Sequence, residues 1–175
     1  MVKELDKWER KWVETAEYFS QWSKDTTKIG AVIVDDEYND LISIGYNGIP
    51  RGVNDNLPER YVRENGEKYF WAAHGERNAI YNVARRGISV KYHTMYLNCY
   101  IPCSGCGIAI IQSGIKKVYC KNQDTTGNPD KWLKEAEVTK QMFQESGVDI
   151  IFYEDDKSTM ENDKVVDFLQ TNKVK

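Results

Sequence analysis

Two short motifs constrain this chain more than anything else in it: His74-Gly75-Glu76, and Pro102-Cys103-Ser104-Gly105-Cys106. Each stands where the surrounding pattern predicts the start of a helix. HGERNAIYNVARRG carries apolar residues at helical spacing and closes on Gly87, a good C-terminal stop. Ser104 to Ser113 reads the same way, with Gly114 as its stop. If one ion is to use residues from both motifs, the fold has to bring two helix starts together across the strand expected between them.

One imidazole and two thiolates make the three protein ligands of a catalytic zinc, which keeps its fourth position for water. His74, Cys103 and Cys106 are therefore the candidate ligands. A helix start favours the thiolate through its dipole and free N–H groups, and Pro102 sacrifices no hydrogen bond just before a helix. Two thiolates largely cancel the charge of the ion, so a water activated there still needs a base beside it. Glu76 is the candidate, a shuttle that takes a proton from the water and passes it to the substrate. A lone C-x-x-C is often a structural zinc knuckle and a lone H-x-E is common by chance, but the two together at helix starts point to catalysis. A structural site would usually add a fourth protein ligand. The remaining cysteines, Cys99 and Cys120, fall in or at the end of predicted strands without a C-x-x-C mate and read as small core residues. His93, with no acidic residue nearby in sequence, reads as a surface or turn histidine.

The rest of the chain supplies the layers. Leu5, Trp8, Trp12, Ala16 and Phe19 form the stripe of an amphipathic helix ending near Lys24. IGAVIV (29–34) and LISIGY (41–46), separated by the turn-like DDEYND, read as an antiparallel hairpin. From Gly45 to about Phe70 runs a long loop rich in Gly, Asn, Pro and charge, of the kind that is often functional. Thr94–Leu97 as a strand, Ser104–Ser113 as a helix and Ile115–Tyr119 as a strand make a unit whose strands should be parallel. A helix over Asp130–Glu145 and a strand over Val148–Tyr153 follow. The expected fold is α/β, a three-layer α/β/α arrangement with a mixed five-stranded sheet. Residues 1–153 read as one domain, with 154–175 as its C-terminal tail or short helix, around the apolar cluster Val165, Val166, Phe168 and Leu169.

Charge excludes one class of partner. With 24 Lys and Arg against 27 Asp and Glu, the net charge of −3 is the wrong sign for neutralising phosphodiester backbones. The first twenty residues are charged throughout, and no window reaches transmembrane length, so a cytoplasmic protein is expected, or one of the host cytoplasm if the source is viral.

H-x-E followed by P-C-x-x-C is the signature of zinc deaminases acting on nucleobases. Together with SKDTTKIGAVIV (23–34), GYNGIPRG (45–52), HGERNAI (74–80) and CSGCGIAIIQSGIKKVYC (103–120), it makes the chain resemble the deoxycytidylate deaminase family over roughly residues 18 to 153. The GYNG-x-P-x-G loop separates that family from the cytidine, guanine and tRNA-adenosine deaminases. The resemblance implies a cytidine-deaminase-like fold. It also implies zinc-dependent hydrolysis of deoxycytidine monophosphate (dCMP) to deoxyuridine monophosphate (dUMP) and ammonia, supplying dUMP for thymidylate synthesis. It implies that Asn47 contacts the substrate sugar or base, and that Thr26, Thr27 and Lys28, with Lys24 in reserve, hold the 5′-phosphate. A homohexamer is implied as well, activated by dCTP and inhibited by dTTP. The effector would bind with Mg2+ in the loop Asn47 to Asp55, at Gly48 and Arg51. A Gly- and Asn-rich loop can turn its N–H groups toward an anion, and Lys24, Lys28 and Arg51 add positive charge there. The sequence departs from the family where Gly75 replaces the usual alanine and where SKDTTKIG is one residue shorter than the commoner form with a proline. The polar KNQDTTGN after Tyr119 offers no aromatic to stack on the substrate. Competing readings are a related deaminase acting on dCTP, cytidine or an adenosine in RNA, and a zinc-stabilised nucleotide-binding module that is not an enzyme. Net charge disfavours RNA, the GYNG loop the free nucleoside, and the presence of Glu76 the non-enzyme.

Overall fold

The run GAVIV is small or apolar at every position, and such a strand suits a sheet covered on both faces. In a computed structural model, which describes residues 2–64, 66–122 and 129–154, it forms β2 (Gly30–Val34), buried along its length. β2 pairs antiparallel with β3 (Leu41–Tyr46) on one side and with β4 (Thr94–Leu97) on the other. β4, β5 (Lys117–Lys121) and β6 (Asp149–Tyr153) run parallel, as the strand–helix–strand unit requires. β1 (Val2–Lys3) adds in parallel to β6, so the order is β1-β6-β5-β4-β2-β3. The sheet is mixed as expected, but among the described residues it has six strands rather than five: β1 is only two residues long and carries no alternation that could announce it.

Strand alternation sorts the core into two layers. Ala31, Ile33, Met95, Leu97 and Val118 face Ala79 and Val83 of α3 (Gly75–Ala84), Ile110 of α4 (Ser104–Ser113) and Phe143 of α5 (Pro129–Ser146). Val32, Val34, Tyr96, Tyr119 and Tyr153 face the other way, onto Val13 and Ala16 of α1 (Lys7–Ser20). The long loop holds a 3-10 turn at Pro58–Tyr61 and the one-turn helix α2 (Lys68–Trp71). Among the described residues, no helix is long and apolar enough to cross a membrane. Of the expected C-terminal segment, residues 155–175 lie outside the described residues.

α1 keeps most of its expected stripe, with Ala16 fully buried and Leu5 and Trp12 packed against the second core layer, but Trp8 falls outside it. Its buried side is Glu9, Val13, Ala16 and Ser20, while Trp8 is 54% exposed. The cause is a capping box: Asp6 accepts the N–H groups of Trp8 and Glu9, and Glu9 accepts that of Asp6. This turns Glu9 inward, where Tyr119 Oη and Lys3 Nζ donate to its carboxylate. The helix also stops at Ser20, short of Lys24.

Because β2 is antiparallel to β4, the start of β2 and the end of β4 meet at one sheet edge. Asn98, just past β4, ties them: its Oδ1 accepts the Gly30 N–H at 2.8 Å, and its Nδ2 donates to Lys28 O at 3.1 Å.

Candidate active site

That edge is where the two motifs converge. His74 caps the N-terminus of α3 and Cys103 that of α4, each in extended backbone. α3 sits this close to the sheet because position 45 is glycine: a Cβ there would stand 2.2 Å from both Gly75 O and Ala79 N. Asn47, buried, then fixes the turn of chain before α3. Its Oδ1 accepts the Gly75 N–H at 2.8 Å, its Nδ2 donates to Thr27 O at 3.0 Å, and its own N–H donates to Ile29 O at 3.0 Å.

His74 Nδ1 lies 3.4 Å from Cys103 Sγ and 3.5 Å from Cys106 Sγ, and the three ligand atoms fall within 4.8 Å of one another. Bonds of 2.3 Å to sulfur and about 2.05 Å to nitrogen at a tetrahedral angle would separate N and S by about 3.6 Å. The donor set therefore fits zinc in both chemistry and spacing. Among the described residues the cluster has no fourth protein ligand; Cys99 and Cys120 are buried free thiols outside it.

The electrostatics match that fit. Hydrogen bonding with Cys106 and with His74 lowers the Cys103 thiol to about 4. Burial lowers His74, but its hydrogen bond to Cys103 and the charge of Glu76 outweigh that and raise it. Glu76 is buried, its Oε2 has no partner among the described residues, and burial raises its carboxyl. A buried carboxylate oxygen without a partner is costly unless something else in the site uses it.

A cleft opens over this cluster. Glu76, His74, Cys103, Asn47 and Thr27 line it, together with Arg63, Lys68, Tyr69, Tyr100 and Trp132. Trp132 lies 6.3 Å from Tyr69 and 6.3 Å from His74 between ring centroids. An aromatic wall thus exists although the segment after Tyr119 offered none; it comes from the first turns of α5 and from α2. Of the residues expected around the phosphate, Thr27 lines the cleft and Thr26 and Lys28 do not. Thr26 Oγ1 lies 3.4 Å from Asp25 Oδ1, Lys28 Nζ donates to Ser23 O, and Lys24 is paired with Asp55 at 2.8 Å on the surface.

Gly48 exchanges two backbone hydrogen bonds with Ala73, which folds the loop back toward His74. Arg51 reaches Asn82 on α3 at 3.4 Å. Both border a separate open groove along β3 and α3, beside Arg85 and Arg86, rather than the cleft. His93 has an acidic neighbour after all, Asp35 at 3.8 Å, because the hairpin turn folds back over it. Arg63, Lys68, Tyr69, Tyr100 and Trp132 had no sequence signal of their own. The only hint for the first three was their place in a long loop running up to the H-x-E motif.

Residues 4–122 match the family model described as the cytidine and deoxycytidylate deaminase zinc-binding region. An uncharacterized deaminase of Aliivibrio fischeri is 35% identical over 147 residues, covering 83% of this chain and 93% of its own length. The deoxycytidylate deaminase of Mus musculus is 39% identical over 132 residues, covering 66% of this chain and 72% of its own. The crystal structure of the dCMP deaminase of cyanophage S-TIM5 in apo form superposes with a TM-score of 0.62 at 26% identity, over 85% of this chain and 99% of that one.

Proposed function

The chain belongs to the zinc-binding cytidine and deoxycytidylate deaminase family, and from that premise we propose that it hydrolyses dCMP to dUMP and ammonia. The observation that carries this reading is the buried, unpartnered Oε2 of Glu76 in the same cleft as the His74, Cys103 and Cys106 cluster. On this reading the three ligands hold the zinc, which supplies Lewis-acid activation of water. Glu76 takes one proton from the attacking water and delivers it to the ring nitrogen beside C4, then takes the second from the new C4 hydroxyl and gives it to the amine, which departs as ammonia as the C4 carbonyl forms. Its raised carboxyl suits both the accepting and the donating step. The base lies against Tyr69 and Trp132, whose flat faces suit a pyrimidine ring. Asn47 holds Gly75 and the Thr27 segment in register and keeps one amide N–H for the sugar.

The monophosphate is favoured over the free nucleoside by Arg63. It lines the cleft, and among the described residues it makes no ion pair. An uncompensated guanidinium is a ready partner for phosphate oxygens. A panel of deoxycytidine, dCMP and dCTP tests the reading: dCMP should have the highest kcat/KM, and equal constants for dCMP and deoxycytidine would refute it.

Regulation is part of the same proposal. A homo-oligomer, hexameric by resemblance, would bind dCTP or dTTP with Mg2+ in the groove bordered by Gly48 and Arg51, where Arg51, Arg85 and Arg86 gather positive charge. Sigmoidal kinetics made hyperbolic by dCTP and suppressed by dTTP would support it; a monomer indifferent to both would remove it.

A further inference from the structure

A buried ion pair stands in the cleft wall that the chemistry above does not use. Lys68 and Asp25 have side chains 4% and 0% exposed, and Lys68 Nζ lies 2.6 Å from Asp25 Oδ1. Nζ also donates to Thr27 Oγ1 at 3.2 Å. An ammonium has three N–H donors, so these two bonds leave one, and nothing among the described residues takes it. Lys68 itself lines the cleft, next to Thr27 and Arg63. A pair buried this deeply is costly, and an unfilled donor on it adds to the cost unless a ligand supplies the acceptor.

The pair is also anchored to the zinc-ligand helix. Asp25 Oδ1 accepts the Thr27 N–H at 2.8 Å, and the Asp25 N–H donates to Ser23 Oγ, which donates to Asn47 O. Asn47 in turn holds the Gly75 N–H at the start of α3. The ammonium is therefore set at a fixed place relative to the cluster that fixes the reacting end of the base. What remains of a nucleotide at the opposite end is rich in acceptor oxygens.

We propose that Lys68, oriented by Asp25, donates a hydrogen bond to an oxygen of the sugar–phosphate end of the substrate nucleotide. Asp25 is a positioning residue and acts only through Lys68. The inference rests on the reading of the chain as a dCMP deaminase. Removing Lys68 by itself would strand a buried carboxylate, so the test uses the paired variant D25N/K68M, which removes both charges together. Its kcat/KM is measured with dCMP, with deoxycytidine and with 2′,3′-dideoxycytidine monophosphate.

The paired variant should raise KM for dCMP about tenfold or more, the worth of one hydrogen bond to a charged group, with kcat within about threefold. The loss should shrink for one truncated substrate: for deoxycytidine if the partner is a phosphate oxygen, for the dideoxy compound if it is the sugar hydroxyl. The same fold-loss with all three substrates, or no loss with dCMP, would overturn the proposal. Calorimetric titration with dUMP requires no turnover and should show the same weakening. A wild-type protein inert toward dCMP would thus remove the deamination reading, while the dUMP titration would still decide the role of Lys68.

Discussion

Gly45→Ala is the sharpest test of how packing sets the site. The glycine is not in the left-handed region, so an alanine there meets no backbone strain and the effect is one of contact alone. The new methyl would lie 2.2 Å from Gly75 O and Ala79 N, both backbone atoms that cannot rotate away, so α3 must lift until the contact reaches at least 3.4 Å. That is a displacement of about 1.2 Å, an overpacking that typically costs about 1–3 kcal/mol. For a domain of this size the melting temperature should drop by about 2–12 °C. Because His74 and Glu76 ride on the first turn of α3, the same movement separates them from Cys103 and Cys106. A misplacement of about 1 Å can lower turnover on the order of 100-fold. Thermal unfolding by circular dichroism, zinc content and steady-state kinetics on one preparation measure all three effects. A Gly45→Ala protein with wild-type melting temperature and wild-type kcat would refute the backbone-to-backbone contact and the reasoning built on it.

Cys103→Ala should lose zinc, activity and part of the folding stability together, and atomic absorption showing one zinc per chain in that variant would remove Cys103 from the ligand set. Glu76→Gln should retain zinc and fold while kcat drops by about 10²- to 10⁴-fold, because it removes a proton carrier and no ligand; near-normal turnover would place the base elsewhere. Glu9 gives a pH signature. Burial pushes its carboxyl up, but bonds from Lys3, Tyr119 and the Asp6 N–H together hold it below its ordinary 4.5. Its contribution to stability is therefore fully present above the unfolded value and is lost as pH falls through the folded one. Glu9→Gln should lower the melting temperature near neutral pH and converge with wild type in acid, and a gap that persists at low pH would contradict the assignment.

Much of the fold was legible because its elements are locally self-consistent. Thr94–Leu97 and Ser104–Ser113 lie where strand and helix patterning put them, since a Gly114 in the left-handed region at φ 83° stops the helix at the expected place. The hairpin of β2 and β3 follows from two β-rich runs around a turn. The one clear departure from the stripe of α1, the exposed Trp8, has a different origin. Helical spacing placed Trp8 with Leu5, Trp12 and Ala16 on the buried face, but the Asp6–Glu9 capping box and the Tyr119 hydroxyl, 110 residues away, turn Glu9 inward there instead. No local period records a partner that distant.

The same distinction runs through the site. Few residue types can replace His74, Cys103 and Cys106 around a zinc, so their identities and spacing are specific enough to read from the chain. A wall that holds a base and its sugar–phosphate end has many chemical solutions, and each is built from tertiary contact. Trp132 enters the cleft from α5, whereas Arg63, Lys68 and Tyr69 arrive from an excursion whose return is fixed by two backbone bonds between Gly48 and Ala73. The lysines nearest the expected phosphate segment looked suitable by charge, yet Lys24 is spent on Asp55 and Lys28 on Ser23 O. A cation's availability depends on what already neutralises it, and that is a property of the folded chain. Lys68 is the instructive case: it carries a full partner in Asp25 and, among the described residues, still has one donor left over, facing a choice between an empty bond and a ligand. Such a leftover donor is invisible to composition and spacing alike, and it is where the discrimination between a nucleotide and a nucleoside can be built without altering a single zinc ligand.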